Sequence, residues 1–383
     1  MRKVPFLYIG AIAVALLLSF ALSNPAASET AAQRQDNVAP NFNVDPFWPK
    51  PLPNDWLLGQ VAGIDVDTQD VIWIVQRPGS LTNDERGLEL GRSMCCLPAP
   101  PVISFDTDGN LLDAWGGPAA CTPEPGVNPV VGGDCYEWPV NEHGIYVDDM
   151  GNVWLAGNGG NDHQVLKFSQ DGTFLLQIGR AGVTGGDADP MHLGRPAEMA
   201  VDIEANEVYI ADGYANHRVI VFDATTGEFK RMWGAYGLPP DDQGDNGFGN
   251  PVHCAVITDE GLVYVCDRVK NRVQIFEKDG TFVREFYIRQ ETLGNGSTWD
   301  LAFSADKRQS YVYDADGENN VVWTLRRETD EILGYFGRSG RQAGQFHWVH
   351  NLDTDSKGNL YTAEVDTGKR AQKFVATGFR PTD

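Results

Sequence analysis

The sequence is poor in positive charge. Its 383 residues hold 30 lysines and arginines against 53 aspartates and glutamates, a formal charge of −23. Such a surface repels nucleic acid and anionic lipid, so neither is expected as a partner. Chemistry-bearing motifs are scarce as well. No two cysteines stand at Cys-x-x-Cys spacing, which speaks against a metal–thiolate centre. No Gly-x-Ser-x-Gly elbow, Walker loop or dinucleotide fingerprint occurs in a supporting context, which argues against serine-hydrolase and nucleotide chemistry. Beyond residues 6–22 no other long apolar run stands out, and there is no low-complexity tract. Arg2 and Lys3 precede that run and small residues (SNPAAS) follow it, the pattern of a secretory signal peptide over 1–28. An uncleaved anchor competes with this reading, but the run is marginal for spanning a bilayer. No cysteine lies near its end to carry a lipid. The mature chain is therefore expected to be secreted or periplasmic, off the membrane after cleavage, and monomeric.

What the sequence does contain is short alternating runs. Residues 142–168, EHGIYVDDMGNVWLAGNGGNDHQVLKF, hold an apolar run, a DDMGN turn, a second run, a polar loop and a third run closing on Phe168. This is a strand–turn–strand signal. The third run closes again at Phe105, Phe222, Phe276, Leu325 and Phe374, on the order of 50 residues apart, the period of propeller blades. The fold class expected is all-β, a six-bladed β-propeller over 45–383 behind a polar leader, 29–44. Inserts at 78–101 and 118–139 interrupt the pattern, and long loops inside compact repeats usually serve a site. The second to fifth repeats carry a fourth strand and the sixth does not, so residues near 41–49 are expected to supply it and close the ring.

The cysteines lie in the exported part, where disulfides can form. Cys121 and Cys135 flank a Pro/Gly-rich loop and are the best pair. A bond between adjacent Cys95 and Cys96 would be strained, and separate partners or free thiols compete with it. Cys254 and Cys266 fall on neighbouring strands, but a tight hairpin would set Cys254 opposite Val265, so their bond would need a bulge.

One register of the repeat carries the chemistry. The starts of the six first strands hold Ala62, His143, Ala197, His253, Trp299 and His350. First strands line the central channel, so histidines on alternate blades converge on its axis. A lone histidine is more often a hydrogen-bonded structural residue than a ligand; three at one register reverse those odds. Three neutral imidazoles without a fourth protein ligand suit zinc with an open position, and such an ion polarises a bound oxygen. His163, His192, His217 and His347 fall outside the register and are expected to be loop residues or supports.

Just after the second strands stand Gln76-Arg77, Gly157-Asn158, Asp212-Gly213, Asp267-Arg268, Asp314-Ala315 and Glu364-Val365. An acid here ties a loop to its own blade, which covers Asp267 and Asp314. Arg77 and Arg268 each present a fork that takes a carboxylate bidentately, which suits a small anionic or peptide-like substrate. Tyr214, in DGYANHR, is either rim packing or, beside a dication and arginines, a base.

These residues resemble a known family. DRVKNRVQIF and DGYANHRVIVF are similar to NHL repeats. Over about 59–374 the chain more specifically resembles the peptidyl-α-hydroxyglycine α-amidating lyases. The resemblance implies zinc held by His143 (EHGIYVD), His253 (NPVHCAV) and His350 (WVHNLD), catalysis by Tyr214 of the DGY motif, and substrate binding by Arg77 and Arg268. It implies cleavage of an N-acyl hemiaminal to an amide and glyoxylate. A lactone or ester hydrolase with the same metal, and a non-catalytic NHL binding protein, are the alternatives. The family also places a calcium-ligating Asp beside the third histidine, where this chain has Asn351; calcium here would lie at Asn351 and the carbonyls of Ile64 and Ile145. The family's disulfides do not map onto these cysteines.

Overall fold

Side chains alternate along a strand, so a sheet covered on both faces must be apolar at nearly every position. The strand Val263–Asp267 (VYVCD) is buried throughout. Its Val263 and Val265 pack with Tyr209, Val219 and Phe276. Its Tyr264 and Cys266 pack the other way, with Leu301, Val312 and Leu325.

The computed structural model describes Met1 and residues 38–382 and repeats this arrangement around a ring. The innermost strands of the six blades are Gln60–Val66, Glu142–Val147, Glu198–Asp202, Val252–Ile257, Asp300–Phe303 and Val349–Thr354. Each packs beside its predecessor and successor, and the sixth returns to the first. The protein is an all-β, six-bladed β-propeller, as the repeat spacing predicts. Six hydrophobic clusters fill the six interfaces between blades. The residues that mark the repeat in the sequence are the centres of these clusters: Phe105, Phe168, Phe222, Phe276, Leu325 and Phe374 are at most 2% exposed. Truncating one of the phenylalanines to alanine would cost about 3–5 kcal/mol.

The ring is closed by chain from the other end of the sequence. Val38–Asp45 is the outer strand of blade six, beside the long strand Arg370–Pro381. Phe42 seats it, with its ring 5.5 Å from that of Tyr313 and 5.2 Å from that of Phe336. The expected closing strand is thus present but starts earlier, so residues 38–44 belong to the propeller and not to the leader. The signal peptide, 1–28, lies outside the described residues apart from Met1. Among the described residues no helix is long and apolar enough to cross a membrane.

Both inserts are built onto the blades. Leu97–Pro98, in the first, pairs in parallel with Trp56–Leu57, and Lys369 of blade six holds Glu85 at 2.7 Å. Val130–Val131, in the second, adds a fifth strand to blade two. Cys121 and Cys135 are bonded, as expected. Cys95 and Cys96 are bonded to each other, and among the described residues no cysteine is free, so neither separate partners nor free thiols, the competing readings, occur there. Cys254 and Cys266 are bonded, and the extra residue that their pairing needs is Gly261, at φ +86°, whose N–H donates to the Thr258 carbonyl. The hairpin loop, where Thr258 N–H donates to the Leu262 carbonyl, is wider than a two-residue turn and sets the two cysteines directly opposite. A further bulge lies on the other side of Cys254, at His253.

Candidate metal and anion site

The histidines sit on irregularities of the innermost strands. The ladder of blade four shifts between Val252 and Cys254, leaving His253 without a cross-strand partner. In blade six it shifts between Val349 and Asn351, around His350. In blade two His143 and Gly144 together oppose Ala156. A bulge re-aims a side chain that regular alternation would point elsewhere. Here it turns three imidazoles into the channel, with ring centroids 4.6–4.9 Å apart. One nitrogen of each lies within 4.8 Å of the other two.

The odd blades fix which nitrogen that is. His143 Nδ1 donates to the Ala197 carbonyl at 2.8 Å, His253 Nδ1 to that of Trp299 at 2.5 Å, and His350 Nδ1 to that of Ala62 at 2.7 Å. Ala62, Ala197 and Trp299 are the other three residues of the register. A carbonyl only accepts, so each Nδ1 carries the hydrogen and each Nε2 offers a bare lone pair. Burial holds all three imidazoles well below the ordinary histidine range; neighbouring histidines and Arg77 act with it at His143, and Arg77 and Arg268 at the other two. The trio is neutral at physiological pH.

Tyr214 and Arg268 meet at this trio. The Tyr214 hydroxyl lies 2.9 Å from His143 Nε2 and 3.1 Å from His253 Nε2, and it accepts from Arg268 Nη1 at 3.2 Å. Arg268 is 8% exposed, lies over the Trp299 ring, and its Nε is buried without a partner. Arg77 donates to the Glu142 carbonyl, to Gln60 Oε1 and, at 3.5 Å, to Asn158 Oδ1. Burial lowers its pKa. Burial also pushes the Glu142 carboxyl up to about 7.

Sequence reading missed a third arginine. The Arg195 guanidinium lies 5.6 Å from the Tyr214 ring centroid, and Arg268 lies 5.7 Å from it. Arg195 Nε and Nη2 both donate to the Asn158 carbonyl, at 2.8 and 2.6 Å. No register or motif marks Arg195; it stands in the link before blade three, just ahead of Ala197.

The rim acids divide in two ways. Asp267 ties its loop as expected, accepting from Gly249 N–H and pairing with Arg272 at 2.7 Å. Asp212 pairs with Arg218 at 2.9 Å and Glu364 with Arg370 at 2.7 Å. Asp314 does not play this part: both its oxygens are buried without a partner, and burial holds its carboxyl well above the usual range. The cross-strand register gives the reason. Asp316, opposite Val321, occupies the place that Asp212 holds opposite Arg218. Asp316 accepts from Asn319 N–H and from Trp323 Nε1. His192, His217 and His347 pair with Asp189, Asp187 and Asp366 in loops, and His163 Nδ1 accepts from Arg195 N–H at 3.1 Å.

Ile64 and Ile145 are buried in the innermost strands of blades one and two. Asn351 Oδ1 accepts from Ile64 N–H at 2.5 Å and its amide donates to Glu198 Oε1 at 2.9 Å. Calcium takes six to eight oxygens, often from carboxylates. Two carbonyls and Asn351 alone fall short of that number, but Glu198, 2.9 Å from the Asn351 amide, has Oε2 buried without a partner and lies with Asp300 in a candidate cation cluster.

The NHL repeat family matches residues 193–222, the segment that carries Arg195, Ala197 and Tyr214. Along the chain, NHL repeat-containing protein 3 of Mus musculus is 26% identical over 358 residues, covering 88% of this chain and 84% of that protein. Peptidyl-glycine alpha-amidating monooxygenase of Mus musculus is 33% identical over 251 residues, covering 62% of this chain but 24% of that protein. A probable peptidyl-alpha-hydroxyglycine alpha-amidating lyase of Caenorhabditis elegans is 30% identical over 187 residues, 47% of this chain and 49% of that protein. Among solved structures, a streptogramin B lyase superposes with a TM-score of 0.51 at 13% identity, over 88% of this chain and 98% of that one, a likeness of fold alone.

Proposed function

We propose that this protein is a secreted or periplasmic zinc-dependent lyase that splits a carboxylate-bearing N-acyl hemiaminal, of the peptidyl-α-hydroxyglycine kind, into an amide and glyoxylate. The observation that carries the reading is the meeting of the Tyr214 hydroxyl with His143 Nε2, His253 Nε2 and Arg268 Nη1. Relatives named for alpha-amidating activity, 25–33% identical over 47–62% of this chain, support it. Three neutral imidazoles with bare Nε2 atoms fit zinc, so His143, His253 and His350 would hold it. When bound, the ion would polarise a substrate oxygen and acidify its proton.

The chain's own residues supply the rest. Arg77 and Arg268 face the reacting end, where a carboxylate would take their forks. Tyr214, acting as phenolate, would remove the hydroxyl proton. The C–O bond then becomes the aldehyde, the C–N bond breaks, and its electron pair stays on nitrogen, which takes up a proton to complete the amide. No oxidant enters and no water is consumed. The three imidazoles are unsuited to the proton transfer, since their Nδ1 atoms hold carbonyls and their Nε2 lone pairs would be on the metal. Three disulfides support an oxidising compartment, and the charge of −23 argues against nucleic acid and anionic membranes. The test is turnover of α-hydroxyhippurate against a panel of lactones and esters. Glyoxylate release with no lactone hydrolysis is expected; lactone hydrolysis alone would replace this reading with the hydrolase.

A further inference from the structure

The arginines near the channel fall into two groups. Arg218, Arg272 and Arg370 are each paired with an acid, Asp212, Asp267 and Glu364. Their neighbours Arg77, Arg195 and Arg268 are not: among the described residues none of the three forms an ion pair, in a chain with a large surplus of carboxylates. Arg77 donates only to neutral oxygens, Arg195 to one backbone carbonyl, and Arg268 to a phenol. Partly buried guanidiniums without counter-ions are costly unless a ligand supplies the charge.

Three cations exceed what one carboxylate needs. Arg77 and Arg268 suffice for the carboxylate at the reacting carbon. Arg195 stands apart from them. It lies over the ring of Tyr214 and not at its hydroxyl, and Nη1 has no hydrogen-bond partner among the described residues. It is also firmly placed. Its backbone N–H donates to His163 Nδ1, its carbonyl accepts from Tyr214 N–H at 3.2 Å, and its φ of +60° is the left-handed conformation that a side chain of this size rarely adopts. Such backbone is retained where the surroundings demand it, often at a functional site.

We propose that Arg195 is a specificity residue for the acyl half of the substrate, and that the acyl group it favours is itself acidic, so that the preferred ligand carries two carboxylates. This deepens the lyase reading and rests on it for the words "acyl half"; the double anionic site does not require turnover.

The experiment is equilibrium binding of N-succinylglycine and N-butyrylglycine, which differ in the second carboxylate, to the purified mature chain at low salt. The wild-type protein should bind the succinyl compound about 10-fold more tightly, the scale of one charge-assisted hydrogen bond. Arg195→Gln should reduce that ratio to about 2-fold or less, and Arg195→Lys should keep part of it. A ratio near one in the wild type, or the full ratio surviving in Arg195→Gln, overturns the proposal. So does an equal weakening of both ligands with the ratio intact, which would make Arg195 a prop for Tyr214. If Arg195→Gln fails to fold, the wild-type ratio and its collapse in high salt decide the matter. A preserved ratio in a protein inert towards α-hydroxyhippurate would remove the lyase reading and leave the double anionic site standing.

Discussion

His143 donates its Nδ1 hydrogen to the carbonyl of Ala197, the residue at the same register of the next blade, across 2.8 Å. His253 and Trp299 repeat the relationship, as do His350 and Ala62. The ring thus alternates blades that offer an imidazole with blades that hold one. Each imidazole is oriented by backbone, which a side-chain substitution does not remove.

Metal content follows from this geometry. The wild-type chain should carry about one zinc, and His143→Ala should lose nearly all of it, since two imidazoles are a poor zinc site. A β-rich circular-dichroism spectrum would show that the variant still folds. Stoichiometric zinc retained by His143→Ala would place the metal elsewhere.

Tyr214→Phe removes the hydroxyl that lies within hydrogen-bond distance of two of the histidines and Arg268. It should keep the zinc and the fold yet lower kcat by about 100-fold, the usual scale for a lost general base. Near-normal turnover with zinc in place would assign the proton transfer to another residue.

The sequence made the blades and the trio legible because both depend on side-chain identity at a fixed spacing. The buried Phe105, Phe168, Phe222, Phe276 and Phe374 mark the blades, and the histidines recur at one register. The carbonyls of Ala62, Ala197 and Trp299 could not be read, since a backbone acceptor imposes no residue type. The bulges at His253 and His350 were hidden for the same reason. Arg195 stands in a link outside both registers, so periodicity does not reach it. Asp314 was mistaken for a rim acid because the strand runs two residues further, to Asp316.

Acid groups at the innermost strands set a pH dependence. Burial pushes the Glu198 carboxyl up to about 8 and the Asp353 carboxyl up to about 7. The unfolded chain releases these protons near pH 4, at about 4.3 and 3.9. The folded state therefore binds more protons in between, and its stability falls as pH rises through about 7–8. Chelator-treated protein should melt lower at pH 9 than at pH 6.5, by about 2–4 °C. Glu198→Gln should shrink the difference; an unchanged or reversed trend would show these carboxyls to be ionised in the fold.

The closing strand makes a separate prediction. Deleting the mature chain up to residue 46 bares the outer edge of Arg370–Pro381 and removes Phe42 from its contacts with Tyr313 and Phe336. An uncovered strand edge invites association. The truncated protein should melt lower and aggregate at concentrations where the intact chain is monodisperse, as light scattering would report. Equal melting and monodispersity would make the strand dispensable.

The central claim is that the histidine trio holds a zinc ion used by Tyr214 to release glyoxylate. Zinc content and α-hydroxyhippurate turnover measured on one preparation test it most directly, before chelation, after it, and after zinc is restored. About one zinc per chain, with glyoxylate release that disappears on chelation and returns with zinc, is the predicted result. A chain that holds its zinc and releases no glyoxylate, or releases it equally well without metal, would contradict the account.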